Sequence, residues 1–223
     1  LDGIKDWAIS RDRYWGTPLP VWLSADNDQL IIGSVDELQS YTGKQITKII
    51  FVRHGQAEHN VLKMSSSAVD KHPLTELGQQ QAEQTAQKLL GQQVDVVYAS
   101  PILRARQTAE VYTRLSGKEI IFDDRIKEIA SGNWEEKTQL DADIKEERDY
   151  YKNLPIQERY SIRRGETGES WADLDVRTKE FLNEVLEKHA GKTIVVFSHQ
   201  GSGSSMMKQL KNISNEESVD TIF

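Results

Sequence analysis

The chain has no cysteine among its 223 residues, only five prolines, and no apolar run long enough to cross a bilayer. Without cysteine there are no disulfides and no thiolate zinc sites, which fits a reducing compartment. No basic-then-apolar leader of the secretory kind is visible, so a cytoplasmic protein is expected. Positive charge is also in deficit: 28 Lys and Arg against 35 Asp and Glu, a net charge of −7. That excludes a non-specific binder of nucleic acid or anionic membranes but leaves room for a local basic pocket. The first residue is Leu1 rather than Met, so the sequence reads as an excised or processed piece.

What is present is organised around Lys48-Ile49-Ile50-Phe51-Val52-Arg53-His54-Gly55. An apolar, partly β-branched run of this length reads as a buried strand, and the glycine permits a sharp turn at its end. Arg53 and His54 therefore stand where the strand stops. In open α/β sheets, ligands bind at that rim. Arginine offers a fork of donors suited to phosphate, and histidine is a nucleophile or base near neutral pH.

Downstream, Thr75 is an N-cap candidate for a helix whose apolar stripe is Ala82, Ala86, Leu89 and Leu90, with Gly91 as its stop. Val94–Ala99 reads as a second strand. Ser100-Pro101 reads as the opening of a helix, with Ser100 as the cap and Arg104 in the first turn. Residues 119–122 make a third strand, and 135–160 a charged helical excursion near the surface. Glu169-Ser170 starts a long helix with Trp171, Leu174, Phe181, Val185 and Leu186 as its stripe. Thr193–Phe197 is a fourth strand, ending in Ser198-His199-Gln200-Gly201, and Gly201-Ser202-Gly203-Ser204 opens the last helix. Alternating strands and helices imply a three-layer αβα domain with a mainly parallel sheet. Parallel strands share their ends on one edge, so two arginines and two histidines can converge there on a dianionic phosphate.

Residues 1–44 differ in texture. Asp6-Trp7-Ala8-Ile9-Ser10-Arg11-Asp12-Arg13-Tyr14-Trp15-Gly16-Thr17-Pro18-Leu19-Pro20-Val21-Trp22 holds three tryptophans and two prolines. It resembles isoleucyl-tRNA synthetase, and Ile31-Ile32-Gly33-Ser34-Val35-Asp36-Glu37-Leu38 is similar to the next segment of that family. The family's cysteines are missing from Leu23–Asp28, as is its His-x-Gly-His-type ATP signature. Lys63-Met64-Ser65-Ser66-Ser67 is similar to the family's second ATP signature but lies too close to the leader, and reads as chance. This leader is the border of a larger synthetase-related chain, or an arm packed on the main domain. A complete synthetase does not fit in it.

Residues 45–223 resemble the histidine phosphatase, or phosphoglycerate mutase-like, superfamily. Four motifs stand in that family's order: Arg53-His54-Gly55-Gln56-Ala57-Glu58-His59-Asn60, Leu74-Thr75-Glu76-Leu77-Gly78, Ala99–Ala109 with Arg104, and Phe197-Ser198-His199-Gln200-Gly201. The resemblance implies that fold, with a short irregular N-terminal extension. It also implies His54 as a nucleophile forming a phosphohistidine. Arg53, Arg104 and His199 would hold the phosphoryl oxygens, with Asn60 and Gln200 in the phosphate pocket. Glu128 would be the proton donor, in a segment similar to L-x-E-x-x-x-G-x-W-E-G. The last glycine of that pattern is Glu136 here, which puts the local turn in doubt. The acid should sit where its protonated form is favoured.

Gln56, Glu58 and His59 line the mouth or are solvated loop residues. Arg106 reads as a salt-bridge or surface residue rather than a ligand, and His72 and His189 read as surface residues. No spacing of histidines or carboxylates marks a metal, and no cofactor is expected. The expected partner is a small phosphorylated substrate, with no membrane, and tRNA only within a larger synthetase. Oligomeric state is left open. The expected activity is phosphomonoester hydrolysis. The alternatives are a phosphoglycerate mutase and a non-catalytic accessory domain of a synthetase-related protein.

Overall fold

The computed structural model describes residues 21–23, 29–31, 46–138 and 140–215. The chain divides into two compact units, residues 1–46 and 47–223. In the first, β1 (Val21–Leu23) pairs antiparallel with β2 (Gln29–Ile31). The remainder of the synthetase-like leader lies outside the described residues.

The second unit is built on β3 (Lys48–Arg53), β4 (Val96–Ala99), β5 (Ile120–Phe122) and β6 (Thr193–Ser198). All pairings are parallel, in the spatial order β3-β6-β4-β5. β4 and β6, in the middle of the sheet, are buried along nearly their whole length and so lack polar alternation, while β5 at the edge leaves Ile121 and Phe122 exposed. Successive side chains point to opposite faces, so β6 divides its own residues between two cores. Val195 and Phe197 join Val52, Val97 and Ala99 on one face, under Ala86 and Leu89 of α2 (Glu76–Leu90) and Ala109 and Tyr112 of α3 (Leu103–Ser116). Ile194 and Val196 join Tyr98 on the other, under Phe181, Leu182 and Val185 of α6 (Trp171–Lys188) and Met206 of α7 (Gln200–Lys211). Each fully buried side chain of this kind contributes about 1.5–3 kcal/mol.

Register carries the strand ends to one edge. Arg53 lies opposite Ser198, and Phe197 opposite Ala99. His54, Ser100 and His199 therefore leave the sheet side by side. Two close approaches fix the first turn: a Cβ on Gly55 would lie 2.4 Å from the Gly78 carbonyl oxygen, and one on Gly78 would lie 1.9 Å from that of Gln56. The short α1 (Glu58–Leu62) comes next, and the helix after it is capped as expected, Gly78 N donating to Thr75 Oγ1 at 3.1 Å. Ser170 likewise caps α6, in a capping box with Asp173.

Several expectations are corrected. The helix carrying Arg104 begins at Leu103, with Ile102 at the cap position. Pro101 fixes its own φ and biases Ser100 away from helix, so both lie in a preceding turn where Ser100 Oγ accepts from Ile102 N at 3.3 Å. The excursion at 135–160 is not all surface: α4 (Ala142–Asn153) buries Ile144 and Tyr151 against Trp134, and the short α5 (Ile156–Ser161) comes after it. On α6 the buried stripe takes Thr178 and Leu182 rather than Trp171 and Leu186. His189 is buried, its Nε2 3.0 Å from the Tyr98 hydroxyl. The His72 side chain is only 11% exposed, between Glu58 and Glu136.

Candidate active site

His54 stands directly after β3 and is 7% exposed. Its Nδ1 lies 2.7 Å from the carbonyl oxygen of Gly55, which can only accept, so Nδ1 carries the proton. The lone pair is thereby left on Nε2, to which Arg104 Nε donates at 3.1 Å. Burial first, and then the charge of Arg104, bring the His54 pKa down to about 3. At neutral pH the ring is an uncharged imidazole with one oriented nucleophilic nitrogen.

Arg104 comes from the first turn of α3 and is 1% exposed. Its Nη2 donates to the Ser66 carbonyl at 2.9 Å, and its Nη1 is buried without a partner among the described residues. Burial lowers its pKa to about 10, with Glu128 and Glu135 pulling the other way, so it remains a cation. Thr108, one turn on, donates to the Arg104 carbonyl at 2.7 Å and accepts from Gly55 N at 3.2 Å, tying the helix to the His54 turn.

His199 is fully buried after β6. Its ring centre is 5.3 Å from that of His54, and its Nε2 lies 2.8 Å from Ser100 Oγ. Its Nδ1 has no partner among the described residues. Burial, then Arg104 and His54, hold its pKa well below the usual histidine value. Three strand ends thus place a neutral imidazole with its lone pair on Nε2, a buried cation and a second neutral imidazole together, with the unused nitrogens Arg104 Nη1 and His199 Nδ1 beside them. Such a group suits a phosphoryl group, whose oxygens need donors.

The remaining predicted residues sit less centrally. Arg53 is exposed at the end of β3 and its side chain makes no hydrogen bond or ion pair among the described residues; it borders a small pocket with His54, Gln81 and Thr108. Asn60 is engaged locally. Its Oδ1 accepts from Ala57 N at 2.9 Å, so its Nδ2 faces His59 Nε2, at 3.0 Å. Gln200 is exposed on the first turn of α7 and lines a different pocket, of about 400 Å³. Glu128 lines that same pocket. Its Oε1 accepts from Ile129 N at 2.9 Å and from Gly201 N at 3.0 Å. A Cβ on Gly201 would lie 2.3 Å from that oxygen, so the bare glycine is what admits the carboxylate.

Sequence reasoning missed the supports. Arg177 on α6 donates to the carbonyls of Arg125, Lys127 and Glu128 at 2.7, 2.8 and 3.1 Å, and pairs with Glu169 at 2.8 Å. This clamp shapes the segment that carries Glu128. Glu135 accepts from Ser67 N at 2.7 Å and so holds the loop whose Ser66 carbonyl takes Arg104. Ser65, Ser66 and Ser67 are therefore committed to this site, Ser65 Oγ accepting from Arg148 at 2.6 Å. His59 is buried, with its ring centre 5.5 Å from that of His54. Its position in the R-H-G segment was the one available signal. Glu136 adopts φ +58°, the left-handed conformation a glycine would take there, so the turn survives the exchange.

The family model for the histidine phosphatase superfamily (branch 1) matches residues 49–221, and that for class I tRNA synthetases (I, L, M and V) matches residues 1–72. Phosphoserine phosphatase 1 of Hydrogenobacter thermophilus is 34% identical over 154 residues, 69% of this chain and 71% of that protein. Isoleucine–tRNA ligase of Chlamydia pneumoniae is 54% identical over 63 residues, but these are 28% of this chain and 6% of the ligase. Among solved structures, phosphoserine phosphatase from Entamoeba histolytica in complex with 3-phosphoglyceric acid superposes with a TM-score of 0.65 at 28% identity, covering 78% of this chain and 85% of that one.

Proposed function

The chain belongs to the histidine phosphatase superfamily, and on that footing we propose that it hydrolyses small phosphomonoesters through a phosphohistidine on His54. The observation that carries this reading is the tautomer: the Gly55 carbonyl takes the Nδ1 proton and leaves Nε2 with its lone pair beside Arg104.

In the first step Nε2 attacks phosphorus, and the bond from phosphorus to the leaving oxygen breaks. Arg104 and His199 donate to the phosphoryl oxygens as their charge redistributes, and Arg53 adds its charge from the rim. Glu128 gives its proton to the leaving oxygen. Water then attacks phosphorus and breaks the P–N bond, Glu128 takes a proton from that water, and inorganic phosphate leaves a neutral His54. Splitting the displacement in two gives each half a good nucleophile or a good leaving group. Asn60 orients the buried His59 beside His54, and Gln200 borders the side toward the leaving group.

The test is phosphate release from an aryl phosphate, with His54→Ala alongside and a rapid quench to trap phosphoenzyme. Turnover and an acid-labile phosphoenzyme are expected from the wild type and neither from the variant. Turnover by the variant at the wild-type rate would remove His54 from the chemistry.

A second reading is an accessory role in a ligase-related chain, favoured by the match over residues 1–72. It predicts a folded domain that turns over no phosphate ester. A mutase is the nearest catalytic variant. It would return the phosphoryl group to an acceptor hydroxyl, and phosphate release would fall when that acceptor is added.

A further inference from the structure

Three side chains packed around His54 each hold a buried nitrogen with no partner among the described residues: Arg104 Nη1, His199 Nδ1 and His59 Nδ1. Arg104 and His199 already have a part in the phosphoryl transfer. His59 is 8% exposed and sits on α1, with its ring centre 5.5 Å from that of His54. That short helix is pinned at both ends, Glu58 N donating to the Pro73 carbonyl at 3.1 Å and Met64 N to the His59 carbonyl at 3.0 Å. The Asn60 amide fixes the tautomer of the ring. Its Oδ1 is taken by Ala57 N, so its Nδ2 donates to His59 Nε2 at 3.0 Å. The lone pair of His59 is therefore on Nε2 and its proton on Nδ1. Burial first, and then Arg104, His72 and Arg53, bring its pKa down to about 3, so the ring is neutral at working pH. The flanking His72 ring, 6.0 Å away between centres, does not accept that proton. A buried N–H without an acceptor is costly, and a ligand that supplies the acceptor explains why it is kept.

We propose that His59 is a further catalytic residue, its Nδ1–H donating to an oxygen of the phosphoryl group during transfer to His54 and on to water. A phosphoryl group in transfer spreads its charge over three equatorial oxygens. Arg104, His199 and His59 supply one unused donor each, from three separate elements. The proton stays on Nδ1 throughout, so His59 is neither acid nor base. Asn60 serves the reaction through His59, as a positioning residue. This deepens the proposed phosphatase activity and rests on it.

The experiment uses the geometry of amide side chains. An Asn at position 59 can place its N–H near the site of Nδ1, whereas a Gln places its amide near the site of Nε2. His59→Phe, His59→Gln and His59→Asn are compared with the wild type, each shown folded by thermal melting. Two quantities are read: kcat/KM on an aryl phosphate, and the affinity for orthovanadate, a mimic of pentavalent phosphorus, by protein fluorescence. Phe and Gln should lower both by about tenfold or more, the scale of a charge-assisted hydrogen bond. Asn should recover a large part of each. A structural role would make the losses follow the melting temperatures and leave Asn and Gln alike. Losses under threefold in Phe and Gln, or Asn no better than Gln, would overturn the proposal while wild-type turnover keeps the phosphatase reading. A wild type that binds vanadate but turns over no ester would overturn the phosphatase reading, and the Asn–Gln difference in vanadate affinity would still decide the donor. Neither turnover nor vanadate binding would overturn both.

Discussion

Arg104 donates Nε to Nε2 of His54 at 3.1 Å, although the two side chains come from positions fifty residues apart. The contact joins a buried cation to the lone pair of a neutral imidazole, and it lowers the His54 pKa while aiming the ring. Arg104→Met keeps the bulk and removes the charge. We expect kcat on an aryl phosphate to fall on the order of 10²–10³-fold, the loss typical of a donor to developing charge. Steady-state kinetics on a variant shown folded by circular dichroism decide it. A fall under tenfold would place Arg104 outside the chemistry.

Glu128→Gln separates the acid from the rest of the site. The amide keeps an acceptor for Ile129 N and Gly201 N but has no proton to give. Turnover of an alkyl phosphate, whose leaving oxygen needs protonation, should drop about 10²–10⁴-fold. An aryl phosphate bearing nitro groups leaves without help and should lose far less in its first step. Equal losses on both substrates would mean that Glu128 acts by holding structure.

Acid should destabilise the fold through its buried histidines. Burial and Arg104 hold His54 at about 3, and burial, Arg104 and His72 hold His59 at about 3; His199 lies well below its usual value. In the unfolded chain each returns to about 6.5. The unfolded state therefore takes up protons first as pH falls. Stability from the neutral rings is complete above about 6.5 and is lost progressively as pH falls below it, on the order of 2 kcal/mol for His54 by pH 5. Urea midpoints at pH 7 and pH 5 measure this, and His59→Gln should flatten the dependence.

Glu136 at φ +58° carries backbone strain of about 1 kcal/mol. Its ion pair with Lys71, at 2.6 Å, is largely solvated and offsets little of that. Glu136→Gly should raise the melting temperature by a few degrees. No change, or a lower melting temperature, would show that the contacts of Glu136 with Lys71 and His72 outweigh the strain.

How much is legible in the sequence varies with the range of the forces involved. The four strands, the cap at Thr75, the start of a long helix at Glu169-Ser170, and the convergence of strand ends all arise from local patterns, and the structure has them. His189 reads as surface because an isolated histidine on a polar stretch carries no sign of the Tyr98 hydroxyl that meets it across ninety-one positions. Ser100 reads as a cap because Pro101 shifts the helix start by a fraction of a turn that residue type alone does not specify.

Residue types and their order along the chain determined that a histidine and an arginine would stand at the rim of a parallel sheet, because strand period and strand end are local properties. Only the tertiary structure decided which nitrogen of His54 is free. That depends on a carbonyl turned by the close approach of Gly55 to Gly78 and on a guanidinium delivered by another helix. It also decided that Arg159 and Arg164 share a pocket with Glu128 while Lys208 is spent on Asp175, since pairing among charges is settled by packing in three dimensions.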